Sequence, residues 1–420
     1  MQIDQADELR ENADVRSRPM TTQTQPVPTL DRKLAVAVFG LRGFPGVQGG
    51  IERHCEKLYP RLVARGVDVT VIARSRYQPP TRQPASRPGM RFVRLGSVYS
   101  AGMEAFVHSA LAALWCIWKR PDVTHVHAIG PALFVPLLRA FGLRVVVTHH
   151  GFDYQRQKWG AFARRMLRFG ERMAARHANR CIVISEGIRE VLTSEHGART
   201  ALIPNGVEIQ PDMPPAVSDP VMKRFGLAAN RYLICVGRLV PEKRQADLVE
   251  AWSMLSPADR MGWKLVIVGG ADHHSPYVDE LHGRIAKSAD VVATGVQTGD
   301  VLEALWQRAG GCLLPSSHEG LPIVMLEAMS HRLPLLASDI APNLEVGLPA
   351  ECYLPVGDPA AWAQAMRRLI AQAERAGAAG SQTTSPLRVE EFRRRVLARY
   401  DWDQIADRTV EVYEAVRASR

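Results

Sequence analysis

The chain has 420 residues, 46% hydrophobic and 23% charged, a globular profile with room for two or three domains and sizeable cores. With 53 Lys+Arg against 43 Asp+Glu the formal charge is +10, which favours anionic ligands: nucleotides, phospholipid head groups or nucleic acid. The six cysteines (Cys55, Cys116, Cys181, Cys235, Cys312 and Cys352) form no CxxC pair and no apolar run is long enough to span a bilayer, so neither a zinc site, a disulfide framework nor a membrane span is indicated, and a reducing, cytoplasmic setting fits.

Residues 1–30 are polar and proline-bearing, lack a signal-peptide core, and read as a disordered tail. "KLAVAVFG" (33–40) is a buried strand by composition, followed by the glycine-rich "LRGFPGVQGG" and a helix, "IERHCEKLYPRLVARG". Ile51, Cys55, Leu58 and Leu62 share one face of that helix, Gly66 stops it, and Pro60 threatens a kink. "VDVTVIAR", "DVTHVHAI", "RVVVTHHG" and "RCIVIS" are further strands, with helices expected around 103–118, 131–141 and 160–178. Strands alternating with helices predict a parallel sheet covered on both faces.

The pattern then restarts. A Pro- and Asp-containing stretch at 209–220 reads as a linker. "YLICVGR", "KLVIVGG", "DVVATG", "GGCLLPS", "PLLAS" and "CYLPV" form a second set of buried strands, with helices near 243–255, 276–287 and 299–309. We therefore expect an N-terminal α/β domain over 31–205, a second over 206–385, and a ligand cleft between them. "AERAGAAGSQTTS" reads as a surface loop, and 386–420 as a C-terminal helix containing Trp402. That helix either packs back on the first domain or caps the second.

Three motifs carry chemistry. In "PSSHEGLPIVMLEAMSHRLPLLAS", Glu319, Gly320 and Pro322 precede a helix that carries Glu327, so two carboxylates straddle a helix N-terminus. Such an end concentrates unpaired N–H groups and the positive end of the dipole, which suits a phosphate. The glycine-rich loop departs from the GxGxxG dinucleotide fingerprint, because Gly40 and Gly43 are three apart; Gly49 and Gly50 at the helix entrance would let backbone N–H groups approach a phosphate. In "VGRLVPEK", Arg238 and Lys243 sit at a strand's carboxyl end, where open α/β sheets bind ligands, and could clamp a diphosphate. "VVVTHHGFDYQRQKWG" places His149, His150 and Asp153 at another strand end, and "HVHAIG" places His127 similarly, as candidate substrate contacts.

Together these features resemble the retaining family-4 glycosyltransferases of GT-B fold, two Rossmann-like domains whose parallel sheets face each other across a cleft. The resemblance runs over 33 to about 380 and rests on Gly49–Gly50, His150, Arg238, Lys243, the Glu319-x7-Glu327 signature and the "IPNGV" turn at 203–207. "GLRGFPGVQGGIERH" and "HHGFDYQRQKWG" are similar to the branch that serves bacterial exopolysaccharide, capsule or O-antigen synthesis, including lipopolysaccharide. The resemblance implies that Gly50 contacts the donor diphosphate and that Arg238 and Lys243 neutralise the leaving nucleoside diphosphate. It implies that Glu319 binds donor-sugar hydroxyls, Glu327 the ribose, and the backbone N–H groups of Leu321 and Ile323 the phosphates, Pro322 having none to give. His150 would touch the donor sugar; His149 competes for that slot, and the second histidine is preferred because it directly precedes Gly151. No DxD pair lies near these motifs, so no metal or other cofactor is expected, and the nucleotide sugar is a co-substrate.

The segment 156–180 is basic, with Glu171 its only acid; as a helix it aligns Trp159, Phe162, Met166, Phe169 and Met173 in a stripe flanked by Arg164, Arg165, Arg168 and Arg172. With Trp115 and Trp118 in 108–120, it is expected either to touch an anionic membrane, as a lipid-linked saccharide acceptor would require, or to bury its stripe in the core. No recognition motif supports nucleic acid as a partner. The alternatives carried forward are a transferase with a soluble acceptor, of sucrose- or trehalose-synthase type, and a non-catalytic nucleotide-sugar-binding protein.

Overall fold

The computed structural model describes residues 33–47, 49–78, 88–97, 103–155, 159–271, 275–378, 394 and 397–419. Two wholly parallel sheets organise these residues. The first holds β1 (Ala35–Phe39), β2 (Asp68–Arg74), β3 (Met90–Leu95), β4 (Val123–His127), β5 (Val145–His149), β6 (Arg180–Val183) and β7 (Thr200–Leu202), in the order β3-β2-β1-β4-β5-β6-β7. The second holds β8 (Tyr232–Val236), β9 (Lys264–Val268), β10 (Val291–Gly295), β11 (Gly311–Leu314), β12 (Leu335–Ser338) and β13 (Tyr353–Leu354), in the order β10-β9-β8-β11-β12-β13. In each sheet the strand order reverses beside the first strand, between β1 and β4 and between β8 and β11. The carboxyl ends at such a reversal leave a crevice between diverging connections, where doubly wound sheets bind ligands.

The central strands are continuous apolar runs because both of their faces are covered: Val36 to Phe39 and Val145 to Val147 are all buried. Two strands that composition did not reveal, β3 and β7, are the edges of the first sheet. β3 has the mixed sequence Met-Arg-Phe-Val-Arg-Leu, in which the arginines face solvent, so it lacks the unbroken apolar run of a central strand.

Three expectations about the connections need correction. The stretch 209–220 is not all linker: Pro215–Phe225 is a helix, entered by Pro215 and closed by Gly226 in the left-handed region, the proline-start and glycine-stop pattern of a helix. The stretch 373–385, expected as a surface loop, is helical to Ala378, as part of the helix Pro359–Ala378, and its remainder lies outside the described residues. The stretch expected as one helix over 386–420 is broken at residues 399–401, and its last part is the helix Trp402–Ala418, which begins where Asp401 Oδ1 accepts the N–H groups of Asp403 (3.1 Å) and Gln404 (2.9 Å); residues 386–393, 395, 396 and 420 lie outside the described residues. Pro60 sits inside one uninterrupted helix, Gly50–Ala64. The tail 1–30 lies outside the described residues.

The Trp402–Ala418 helix packs on the Gly50–Ala64 helix and against β4 and β5. Trp402, Ile405, Ala406, Tyr413 and Val416 join Cys55, Leu58, Tyr59 and Leu62 in one buried cluster. The chain crosses between the sheets twice, and the crossings lie together: Val207 bridges Asp401 and its N–H donates to the Tyr400 carbonyl at 2.8 Å.

One part of this core is polar. Side chains alternate along a strand, so His125 and His127 on β4 share a face with Thr148 on β5 and His150 just beyond it. The Gly50–Ala64 and Trp402–Ala418 helices cover that face with His54, Tyr59 and Tyr413. The hydroxyls of Tyr59 and Tyr413 lie 3.1 and 2.6 Å from His125 Nδ1, and His125 Nε2 lies 2.6 Å from Thr148 Oγ1. Burial makes protonation costly, lowering His54 to about 4 and His125 to about 3, and holding His127 and His150 well below the ordinary 6.5. Below about pH 6.5 the unfolded chain therefore takes up protons that the folded histidines refuse. Stability should fall with pH, by up to ~1.4 kcal/mol per pH unit for each such histidine. Urea unfolding at about pH 7 and about pH 5.5 reads the effect above the ordinary carboxylate range. A lower midpoint at the acid value is expected; equal midpoints would contradict a neutral buried cluster.

Candidate functional site

In the first sheet, β1 leads through the glycine loop into the Gly50–Ala64 helix. Gly49 has φ +157°, and a Cβ there would lie 2.1 Å from Glu52 Oε2. The carboxylate occupies that space because it folds back on the loop, accepting from the Arg42 N–H and Nε, both at 3.1 Å. A side chain at Gly49 would displace this ion pair, so the residue shapes the loop. Gly50 has open space beside it.

In the second sheet, β8 leads through Gly237 and Arg238 to the short turn Pro241–Lys243. β11 leads through the loop 315–322 into the helix Ile323–Ser330, whose N-terminus no side chain caps. That helix mouth therefore presents N–H groups and the positive end of its dipole. Lys243 Nζ lies 2.5 Å from Glu319 Oε1, both side chains being mostly buried at 19% and 11% exposure. The structure thus brings together a cation and an acid that the sequence placed 76 residues apart. Arg238 is half-buried at the same strand end, where its carbonyl accepts from Gln245 Nε2 at 2.9 Å.

The two halves meet backbone to backbone. A Cβ on Gly320 would lie 2.1 Å from the His150 carbonyl oxygen, and a Cβ on Gly151 3.3 Å from Gly320 Cα. Glycine is required at 320 for this close approach. Beside this contact, Asn205 Nδ2 donates to the Leu321 carbonyl at 3.5 Å, and Asn205 Oδ1 lies 3.0 Å from His54 Nδ1. Leu321 is buried, so its side chain anchors the loop in the core. Arg53, in the first turn of the Gly50–Ala64 helix, reaches Glu327 on the opposing helix at 3.5 Å. With Arg53 45% exposed the pair is worth only about 0–1 kcal/mol; its value here is to show that the two helices face each other. Burial pushes the Glu327 carboxyl up, and Arg53 partly offsets it.

The adjacent histidines go to opposite faces of the first sheet. His149 is wholly buried, with Nε2 2.8 Å from Glu171 Oε2 and Nδ1 accepting from the Gly151 N–H at 3.3 Å. His127 is also wholly buried, between Tyr59 and His150. Both ring nitrogens of each are engaged inside the protein, which corrects the expectation that His127 and His149 touch substrate. His150 is half-buried at the contact with Gly320. Asp153 opens the short turn Asp153–Gln155 beyond it and is half-exposed. Composition could not reveal Arg53, Asn205 or the Tyr59–His127 contact as partners of this site, since each depends on two distant segments meeting. A recess of about 400 Å³ lies at the other end of the Ile323–Ser330 helix, lined by Gln210, Gln307, Arg308 and His331 among others. None of the expected site residues lines it.

The basic segment forms the helix Ala161–His177; residues 156–158 lie outside the described residues. Its inner face consists of Gly170, Glu171, Ala174 and Ala175, while Phe162 and Phe169 are 78% and 48% exposed. The stripe is therefore not core. Small residues face inward, Phe162 and Phe169 face out, and Trp159, Met166 and Met173 are half-buried. Leu114 and Trp118, on the helix Glu104–Lys119, are 57% and 73% exposed, and Phe141 is 48% exposed. All six cysteines are buried and free. Among the described residues no helix is long and apolar enough to cross a membrane.

Comparison with known proteins agrees with this architecture. Two family models match: Glycosyltransferase Family 4 over residues 48–211, and Glycosyl transferases group 1 over residues 230–372. A glycogen synthase of Mycobacterium tuberculosis is 26% identical over 408 residues, covering 89% of this chain and 92% of its own length. A phosphatidyl-myo-inositol mannosyltransferase of Mycobacterium leprae is 26% identical over 392 residues, covering 89% and 95%. Among solved structures, a sucrose-phosphate synthase from Thermosynechococcus elongatus superposes with TM-score 0.75 at 21% identity, over 93% of this chain and all of that one. The Anabaena protein HepE in complex with UDP-glucose superposes with TM-score 0.70 at 17% identity, over 91% and 99%. With the family-4 match lying on the first sheet, the group 1 match on the second, and relatives aligned over nearly their full length, the chain is a glycosyltransferase of GT-B fold.

Proposed function

We propose that this glycosyltransferase moves a sugar, with retention of configuration and without a metal ion, from a nucleotide-sugar donor to a lipid-linked saccharide. The setting is cell-surface polysaccharide synthesis at the cytoplasmic face of the membrane. The observation that carries the donor half is the Lys243–Glu319 pair at the carboxyl end of the second sheet, beside an uncapped helix mouth and facing the open start of the Gly50–Ala64 helix. The HepE complex with UDP-glucose supports the class of donor.

In this reading the diphosphate lies at the mouth of the Ile323–Ser330 helix, taking the N–H groups of Leu321 and Ile323, with Gly49 and Gly50 opposite. Glu319 and Gly320 border the sugar, Pro322 shapes the turn, and Glu327 accepts from the ribose hydroxyls. Breaking the glycosidic bond leaves an oxocarbenium-like sugar and builds negative charge on the departing phosphate. Arg238, Lys243 and the helix mouth are fixed positive groups aimed at that charge, and they supply the stabilisation that a metal would otherwise give. His150 contacts the sugar, and the acceptor attacks on the face that the leaving group vacates.

The acceptor half rests on the surface of the first domain. Phe162 and Phe169 are exposed on the helix that also exposes Arg164, Arg165, Arg168 and Arg172, the pairing of apolar and cationic groups that binds an anionic bilayer. Leu114 and Trp118 are exposed on a second helix of the first domain, and Phe141 at the end of a third. The mannosyltransferase relative, named for a phosphatidyl-inositol, favours a lipid acceptor. The glycogen synthase relative favours a soluble one, which is the second reading.

Lys243→Ala and Glu319→Ala should each lower sugar transfer by roughly 10²–10³-fold, the usual cost of removing one fixed stabilising group. Product formation from radiolabelled nucleotide sugars reads this, with circular dichroism confirming the fold; unchanged transfer in both variants would overturn the assignment. On flotation, the protein should rise with phosphatidylglycerol vesicles and stay behind with phosphatidylcholine alone, and Phe162→Ser with Trp118→Ser should abolish the association. Failure to float with the anionic vesicles would remove the membrane and leave the soluble acceptor.

A further inference from the structure

His150 is linked to the protein interior by a chain of hydrogen bonds that serves no evident packing purpose. Its Nε2 lies 2.8 Å from His127 Nδ1, and His127 Nε2 lies 2.5 Å from the Tyr59 hydroxyl. Both histidines are neutral at neutral pH, since burial and neighbouring imidazoles hold them well below the ordinary range. Each ring therefore carries one proton and offers one acceptor nitrogen, and the chain can be ordered in only two directions.

The two tyrosines decide between them. A phenol is a much stronger acid than a neutral imidazole N–H, and an imidazole nitrogen is a much better base than a phenol oxygen. The favoured bond therefore runs from hydroxyl to ring. Tyr413 lies closer to His125 Nδ1, at 2.6 Å, than Tyr59 does, at 3.1 Å, and that nitrogen has one lone pair. Tyr59 then has the Tyr413 hydroxyl and the His127 ring as possible acceptors; the imidazole nitrogen, at 2.5 Å, is the stronger base and takes the hydrogen bond. His127 then carries its proton on Nδ1 and donates it to His150 Nε2. His150 Nδ1 has no hydrogen-bond partner among the described residues, and the residue is half-buried, with its backbone carbonyl against Gly320.

We propose that Tyr59 and His127 are positioning residues that lock His150 as its Nδ1–H tautomer, so that it enters the cleft as a hydrogen-bond donor to a ligand oxygen. The inference builds on the proposed role of His150 at the donor sugar, but the tautomer is a property of the free protein and is read without any transfer assay. A donor-only nitrogen selects for an acceptor oxygen, and the locked ring needs no proton shuffle when the ligand arrives. Tyr413, on the C-terminal helix, takes part by occupying His125 and so directing Tyr59 toward His127.

Nitrogen-15 labelling of histidine alone, with long-range proton–nitrogen correlation, distinguishes the two tautomers by the shifts of Nδ1 and Nε2. The His150 signals are assigned as those lost in His150→Gln. In the unmodified protein His150 should show a protonated Nδ1 and a bare Nε2; a protonated Nε2 overturns the proposal. Tyr59→Phe removes one oxygen atom and keeps the ring, so the core stays filled. In that variant the His150 signals should move toward the Nε2–H form or an exchange average. An unchanged Nδ1–H pattern would show that Tyr59 does not set the tautomer and would likewise overturn it.

Discussion

The site depends on the approach of two loops whose backbones touch. Gly320, after β11, lies against the His150 carbonyl and Gly151, after β5, at a distance that excludes a side chain. Each loop leaves the carboxyl end of its own parallel sheet, so their contact brings the two ends face to face. Lys243, Glu319 and the mouth of the Ile323–Ser330 helix then lie on one side, and Gly50 and Arg53 on the other. The Arg53–Glu327 pair is too exposed to hold this arrangement. The glycine contact and the buried hydrogen bonds through Asn205 carry it, together with the doubled crossing at Val207 and Tyr400.

Charge and dipole complete the site. A helix start without a capping side chain leaves N–H groups unsatisfied, a cost that a bound anion removes. Lys243 is neutralised by Glu319 in the free protein, so a phosphate and a sugar hydroxyl can share the two without leaving a buried charge unpaired. The first domain contributes a different quality. His54, His125, His127 and His150 sit together in a polar cluster that burial holds neutral, and His150 is the least buried of the four.

Much of this was legible in the sequence, for reasons that differ by residue. The central strands show as unbroken apolar runs because both faces are buried; the edge strand β3, with Arg91 and Arg94 in water and only Met90 buried, does not. Glu319, Glu327, Arg238 and Lys243 could be picked out because strand ends and helix starts are local features. The preference for His150 over His149 rested on its place before Gly151; the two-residue period of a strand separately puts His125, His127 and His150 of "HVH" and "THH" on one face and His149 on the other. What no local pattern gives is the pairing of Arg53 with Glu327, of Tyr413 with His125, or of Asn205 with Leu321. Each joins segments more than one hundred residues apart. The outward-facing stripe on the Ala161–His177 helix was ambiguous for a related reason, because Gly170, Ala174 and Ala175 form an inward face too small to register as hydrophobic.

The central claim is that the cleft holds a nucleoside diphosphate between Lys243 and the helix mouth. Thermal unfolding with UDP, GDP and dTDP tests it most directly, because a ligand that binds only the folded state raises the midpoint, by about 2.7 kcal/mol of stabilisation at a hundred times its dissociation constant. At least one nucleoside diphosphate should raise the midpoint, and Lys243→Ala should remove most of the rise. A chain stabilised by none of the three, or stabilised equally with and without Lys243, would contradict it.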